Sequence, residues 1–289
     1  MNAIGIDIGG TKIAFALVNP AGEVIKEHRL PTLAADGIDA VIRQIITGIE
    51  QLDAGEVIGC GIGCPGHIDA QAGVVKYAAN LGWQNVPLLD LINLEMPLRL
   101  ENDAVTALMG EIAFGAAKGV KNAALLSIGT GLGASAMADG NILHGAAHFA
   151  MEFGQLKFKG HTLEQTASGT GLQNLAQWLR DDYPQTTLPA DADTGTILTA
   201  ARQHEPLAKA ALNAMIADIT NAALWTCSIL NPSRVIIGGG MGQAIAAELL
   251  PALEDAIQQH ASPPVQESVT FQMAEVTQTA VGAAALFFA

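Results

Sequence analysis

"GIDIGGTK", residues 5–12, decides the fold. Ala3, Ile4, Ile6 and Ile8 form an apolar strand-like run around Asp7. Gly9, Gly10, Thr11 and Lys12 interrupt it, and apolar residues resume at once in "IAFALV". Strand, glycine turn, strand is a hairpin whose turn lets a ligand approach the main chain. An Ala-Gly turn and a third strand, "VIKEHRL", follow. The same order returns over residues 123–143, "AALLSIGTGLGASAMADGNIL": strand, glycine turn, strand, Asp-Gly turn, strand. Such a recurrence suggests two similar domains. Coincidence between two hairpins is the other reading, because Asp-Gly turns are common.

The rest of the chain alternates strand and helix patterns, which predicts an α/β fold. Residues 37–52 read as an amphipathic helix, with Ile38, Val41, Ile42, Ile45, Ile46 and Ile49 at helical spacing. "VIGCGIGC" is a buried strand, residues 87–95 a helix, "LRLE" a short strand, and Asp103 to Phe114 a helix. Helices are expected near 162–180, 192–203, 206–230 and 241–260, with strands in "RVIIGGGM" and "SVTFQMA". No Ser/Gly linker separates the halves. The boundary is placed in "FGAAKGVKN": residues 1–116 with the terminal helix 279–289, then residues 117–278.

At 289 residues and 50% hydrophobic content, the chain can bury a large core. Its 14 Lys and Arg against 28 Asp and Glu give a formal charge of −14. That balance repels nucleic acid and anionic membrane, so neither is an expected partner. Three cysteines, Cys60, Cys64 and Cys227, form no disulfide framework and fit a reducing cytoplasm. No signal peptide is visible, and "AVGAAALFFA" is too short to span a bilayer.

Three glycine turns follow apolar strands: Gly9-Gly10, Gly129-Thr130-Gly131, and Gly238-Gly239-Gly240. Successive N–H groups in such turns converge on anions, and the hydroxyls of Thr11 and Thr130 add donors. Neither a P-loop nor a dinucleotide-binding turn matches, since "GTGLG" leads into a strand rather than a helix. A hairpin phosphate loop remains, with plain hairpin geometry as its alternative. Asp7, at a strand end beside such a turn, suits either Mg²⁺, held directly or through water, or a turn-forming bond to nearby backbone N–H. In "LENDAVTALMGEIAFG", Asp103 suits either a helix N-cap or a general base for a hydroxyl, a role worth about 10²–10⁴ in rate. Asn102 could then orient the substrate.

"DIGGTK", "GIGCPGHID", "NLGW", "ENDA", "SIGTGLGASAMADGNILHGA", "LEQTASG", "VIIGGGM" and "AVGAAAL" fall together in one order. In that order the chain resembles the ROK family of sugar kinases and sugar-responsive repressors, within the actin-like ATPase superfamily. The resemblance implies two actin-like (ribonuclease-H-like) domains with an interdomain cleft. It implies a kinase using ATP and Mg²⁺ on a hexose or N-acetylhexosamine hydroxyl, usually the 6-hydroxyl. Asp103 matches the catalytic base. Asp7, Gly9, Gly10, Thr11 and Lys12 match the first phosphate segment, and Gly129, Thr130 and Gly131 the second. Gly239 and Gly240 match residues near adenosine. Gly66, Asn80, Asn102, Glu152 and Glu164 match sugar contacts, with Trp83 packing behind them. Family members are often dimers or tetramers, so a homo-oligomer is open.

One departure stands out. Many members carry E-x-G-H and a cysteine loop that binds structural zinc. Here "MEFGQ" places Gln155 at the histidine position, and "LKFKGHTLEQ" replaces the cysteine loop, so no zinc is expected. His148 and His161, nearby, are candidates to compensate for that histidine, with a structural role as the alternative for each. Three rival readings follow. A repressor would carry an N-terminal DNA-binding domain, for which a "DIGGTK" motif starting at Asp7 leaves no room. A polyphosphate-dependent glucokinase would want a basic groove, which 14 Lys and Arg barely supply. A non-catalytic sugar sensor would not need Asp103 and both phosphate turns.

Overall fold

The computed structural model describes all residues from Met1 to Ala289. Two units emerge from its internal contacts. The first comprises Met1–Lys121, Gly140–Ala150 and Ala274–Ala289, and the second Asn122–Asp139 and Met151–Met273. No helix is long and apolar enough to cross a membrane.

The first unit opens with β1 (Asn2–Ile8), β2 (Lys12–Val18) and β3 (Val24–Pro31). Helix α1 (Ile38–Leu52), β4 (Val57–Cys64), β5 (His67–Asp69), β6 (Val74–Ala78), β7 (Trp83–Val86), α2 (Leu88–Ile92), β8 (Leu98–Asn102) and α3 (Asp103–Phe114) follow. The main sheet runs β3-β2-β1-β4-β8. The hairpin pairs Ile8 with Ile13 in antiparallel register, while β4 lies parallel to β1 and β8 parallel to β4. Alternation puts Ile4, Ile6, Ile8, Ile13 and Phe15 into a core shared with Val41, Ile45 and Leu52 of α1. The helical spacing of α1 thus finds its sheet as expected. The terminal helix Thr279–Ala284 packs Ala280, Val281 and Ala284 against Ala3, Ala16 and Val18 on the other face.

The second unit repeats the plan. Strands β9 (Ala123–Ile128) and β10 (Leu132–Ala138) form a hairpin that pairs Ile128 with Leu132. Strand Arg234–Gly238 lies parallel to β9, and strand Thr270–Met273 parallel to that. Hairpin, then parallel strand, then parallel strand is the order of the first sheet too, so the duplication read from the sequence is structural. Helices α4 (Gly169–Trp178), α5 (Thr194–Arg202) and α6 (Pro206–Leu230) cover this sheet, with Leu172, Leu207, Met215 and Ile219 in its core.

Several boundaries shift from expectation. Residues 87–95 shrink to α2 because Asn93 turns left-handed. The helix expected near 162–180 starts only at Gly169, after a single short turn over Leu163–Gln165. The helix expected over 241–260 breaks at Ile245 into Gly240–Ala244 and Ala246–His260.

One buried acid ties the first unit together. Glu111, on α3, is almost fully buried, and its carboxylate accepts the N–H groups of Ala116 (2.7 Å) and Val276 (2.8 Å). Glu111→Leu leaves both donors unpaired, at about 1–3 kcal/mol each. A thermal melt of this variant is expected to fall well below the parent.

Candidate active site

In the first unit, Asp7 is the penultimate residue of β1 and is half-buried. Burial raises its carboxyl above the ordinary range. The Thr279 hydroxyl, donating to Oδ2, and the charge of Lys12 partly offset that rise. The turn beyond it closes through Gly9 N–H to Lys12 carbonyl (2.9 Å). Thr32, fully buried, donates its hydroxyl to the Gly9 carbonyl (2.6 Å) and its N–H to the Thr11 carbonyl (3.1 Å). Those carbonyls are drawn back into the protein, and Gly10, Thr11 and Lys12 stay exposed at the tip. Asn80 lies alongside, 3.5 Å from where a Gly10 Cβ would stand.

Strand β8 delivers Asn102 and Asp103 to the start of α3. Asp103 is not the N-cap that its residue type suggested. Asn102 keeps an extended backbone, and its Oδ1 accepts the N–H groups of Ala104 (2.9 Å) and Val105 (3.4 Å). Its Nδ2 donates to the Gly66 carbonyl (2.9 Å). Asp103 is therefore the first residue of the helix, and exposed. Burial pushes the thiol of Cys64 well up, and the charges of Asp103 and Asp7 push it further, so both carboxylates flank the end of β4.

In the second unit, Gly129 N–H closes its turn on the Gly131 carbonyl (2.9 Å). Helix α4 donates the N–H groups of Gly169 to the Gly129 carbonyl (2.8 Å) and of Thr170 to the Thr130 carbonyl (3.2 Å). Again the carbonyls point inward, and Thr130 is exposed at the tip. Glu164 braces this turn by accepting the Leu132 N–H on Oε2 (3.2 Å). Ser168, the cap of α4, donates to the Glu164 carbonyl (2.7 Å). Glu152 is exposed beside the short turn Phe153–Gln155.

After the first parallel strand beyond the hairpin of each sheet, β4 and Arg234–Gly238, comes a glycine with positive φ: Gly66 at 97° and Gly239 at 81°. A Cβ would lie 2.2 Å from the Tyr77 carbonyl oxygen at Gly66, and 2.3 Å from that of Ile128 at Gly239. Gly240 faces open space.

These residues fit a magnesium–nucleotide. A desolvated carboxylate with one hydroxyl partner is what a hard cation needs when phosphates supply its other ligands. No group of three or more His, Cys, Asp or Glu side chains gathers to hold a metal by itself.

The sequence model of the ROK family matches residues 3–289. This chain belongs to the ROK family. It is 31% identical to a glucokinase of Halalkalibacterium halodurans, over 94% of this chain and 89% of that one. It is 29% identical to a glucokinase of Thermotoga maritima, over 98% and 99%. Among solved structures it is similar to a ROK family glucokinase from Streptomyces griseus in complex with glucose and AMPPNP. That similarity has a TM-score of 0.82 at 26% identity, covering 99% of each chain. The fold is the actin-like two-domain fold of ROK sugar kinases.

Within this ROK chain, the first unit gathers Asp7, Gly10 and Asn80, and separately Gly66, Asn102 and Asp103. The second gathers Gly129, Thr130, Gly131 and Glu164. Trp83 is buried in the core of the first unit. Of the two histidines read as candidates to replace the one missing at Gln155, His161 stacks on Trp178 at 4.1 Å. His148 lies 4.0 Å from Asp69. Four residues escaped the sequence reading: Thr279 on Asp7, Thr32 behind the first turn, and the pair Glu101–His144, in contact at 2.7 Å. Only Glu101, beside Asn102, carried any local signal.

Proposed function

We propose that this ROK chain transfers the γ-phosphoryl group of ATP to the 6-hydroxyl of a hexose, with Asp103 as general base. The observation that carries this reading is the exposed Asp103 carboxylate at the start of α3, on a helix capped by another residue. Asn102 carries the cap, Asp103 Oδ1 accepts the neighbouring Ala104 N–H (2.9 Å), and an exposed carboxylate can take a proton from a hydroxyl. Gly66, Asn80, Asn102, Glu152 and Glu164 are the sugar contacts in this reading, because amides and carboxylates pair with hydroxyls in fixed directions. Asn102 and Glu164 then serve twice, since each already fixes backbone.

Gly9 to Lys12 and Gly129 to Gly131 hold the phosphates, and Gly239 and Gly240 lie against the adenosine. Magnesium, when bound, neutralises charge on the β- and γ-phosphates, and Asp7 is the residue that would hold it. Excluding water matters, because water competes with the sugar as nucleophile. Glucose heads the substrate class because the relatives named above are glucokinases. N-acetylhexosamines follow.

The test crosses a panel of hexoses and N-acetylhexosamines with ATP and with polyphosphate, reading sugar phosphate formed. ATP with an aldohexose is expected to give the fastest turnover. Turnover with polyphosphate alone, or with no sugar on the panel, would sink the reading.

A further inference from the structure

Glu101 is the unexplained group beside the base. Its side chain is 9% exposed, although it directly precedes Asn102 and Asp103. A carboxylate so buried needs a partner for each oxygen. Oε1 accepts the N–H of Asn102 (2.9 Å), and Oε2 contacts Nε2 of His144 (2.7 Å). A carboxylate only accepts, so Nε2 of His144 carries the proton.

His144 sits on the segment Gly140–Ala150, which joins the first unit. The segment folds on itself, with Ala150 N–H on the His144 carbonyl (3.1 Å) and left-handed backbone at Gly145 and His148. It meets the sugar-side strands at three points. His144 holds Glu101 on β8. His148, edge-on to His144 at 5.7 Å, lies 4.0 Å from Asp69 on β5. Phe149 stacks on His67 at 4.3 Å, one residue beyond Gly66.

We propose that His144 is a positioning residue for the Asp103 base, acting through Glu101. By fixing Oε2 it fixes the carboxylate, and thereby the Asn102 N–H bound to Oε1. Asn102 in turn caps α3 and holds the Gly66 carbonyl. Asp103 and Gly66 are thus set by one buried acid whose second oxygen only His144 satisfies. With a leucine at 144, that oxygen loses its donor, and the strand–helix junction is free to shift. A shift near 1 Å at a reacting group costs about 10²-fold in rate.

This inference rests on the kinase reading above. The experiment is steady-state kinetics of the parent, His144→Leu and His144→Gln with glucose and magnesium ATP. The leucine variant is expected to lose at least tenfold in kcat, with KM for ATP within twofold of the parent. His144→Gln, whose amide N–H can still donate to Glu101, is expected to recover most of that loss. His144→Asn, too short to reach, replaces the leucine variant should the latter not fold, with the same loss expected. The proposal is overturned by a leucine variant within twofold of parental kcat, by a glutamine variant as impaired as the leucine one, or by a matching rise in KM for ATP. A parent that phosphorylates no sugar counts against the kinase reading, not against His144.

Discussion

Replacing Asp103 by asparagine is expected to lower kcat by about 10²–10⁴ and to leave sugar affinity nearly unchanged. The substitution is conservative because the amide oxygen of asparagine can still accept the Ala104 N–H that Asp103 Oδ1 takes (2.9 Å). Asn102 supplies the cap, through its bonds to Ala104 and Val105. The amide matches the carboxylate in size but cannot take the hydroxyl proton. Steady-state turnover together with calorimetric titration of the sugar separates the two effects. Near-parental turnover would show that Asp103 is not the base. Lost sugar affinity would show instead that it is a binding group.

Asp7→Asn is expected to lower kcat at least about a hundredfold, the upper range for loss of a group that orients a metal site. Yet it should raise the melting temperature of the ligand-free protein at neutral pH. Burial holds the Asp7 carboxyl above its ordinary range, so the folded chain binds a proton more readily than the unfolded one. Stability then falls as pH climbs from the ordinary carboxylate range through the raised value. Above that window the ionised group costs stability, and an amide does not. Magnesium ATP should reverse the order, stabilising the parent and not the variant. A variant that melts below the parent without ligand at neutral pH, or one that magnesium ATP stabilises as fully as the parent, contradicts the assignment. Desolvating a charge at the mouth of a binding turn is a cost a protein accepts for function.

The sequence announced both hairpins because their signals are local. Period-two burial and glycine turns need only neighbours, and β1–β2 and β9–β10 fall where they were read. The residue capping α3 was not legible. Asn and Asp are near-equal caps, and only the backbone shows that residue 102 is the last extended one. Thr279 and Asp7 are 272 residues apart, and His144 and Glu101 are 43 apart. Pairs of that kind depend on how the sheet brings segments together, which no window of sequence contains. Glu164 was promoted by resemblance alone. The structure shows it in another place, its side chain taking the Leu132 N–H behind the second glycine turn. Residues that act through the main chain of another segment leave no motif of their own.

The central claim is that a phosphoryl group passes from ATP to the primary hydroxyl of a hexose. Phosphorus NMR of a completed reaction of the purified protein with glucose and magnesium ATP tests it most directly. The account predicts one new phosphomonoester, split by the two protons on carbon 6, appearing in step with ADP. Inorganic phosphate without a sugar ester, an ester on another carbon, or no consumption of ATP would contradict it.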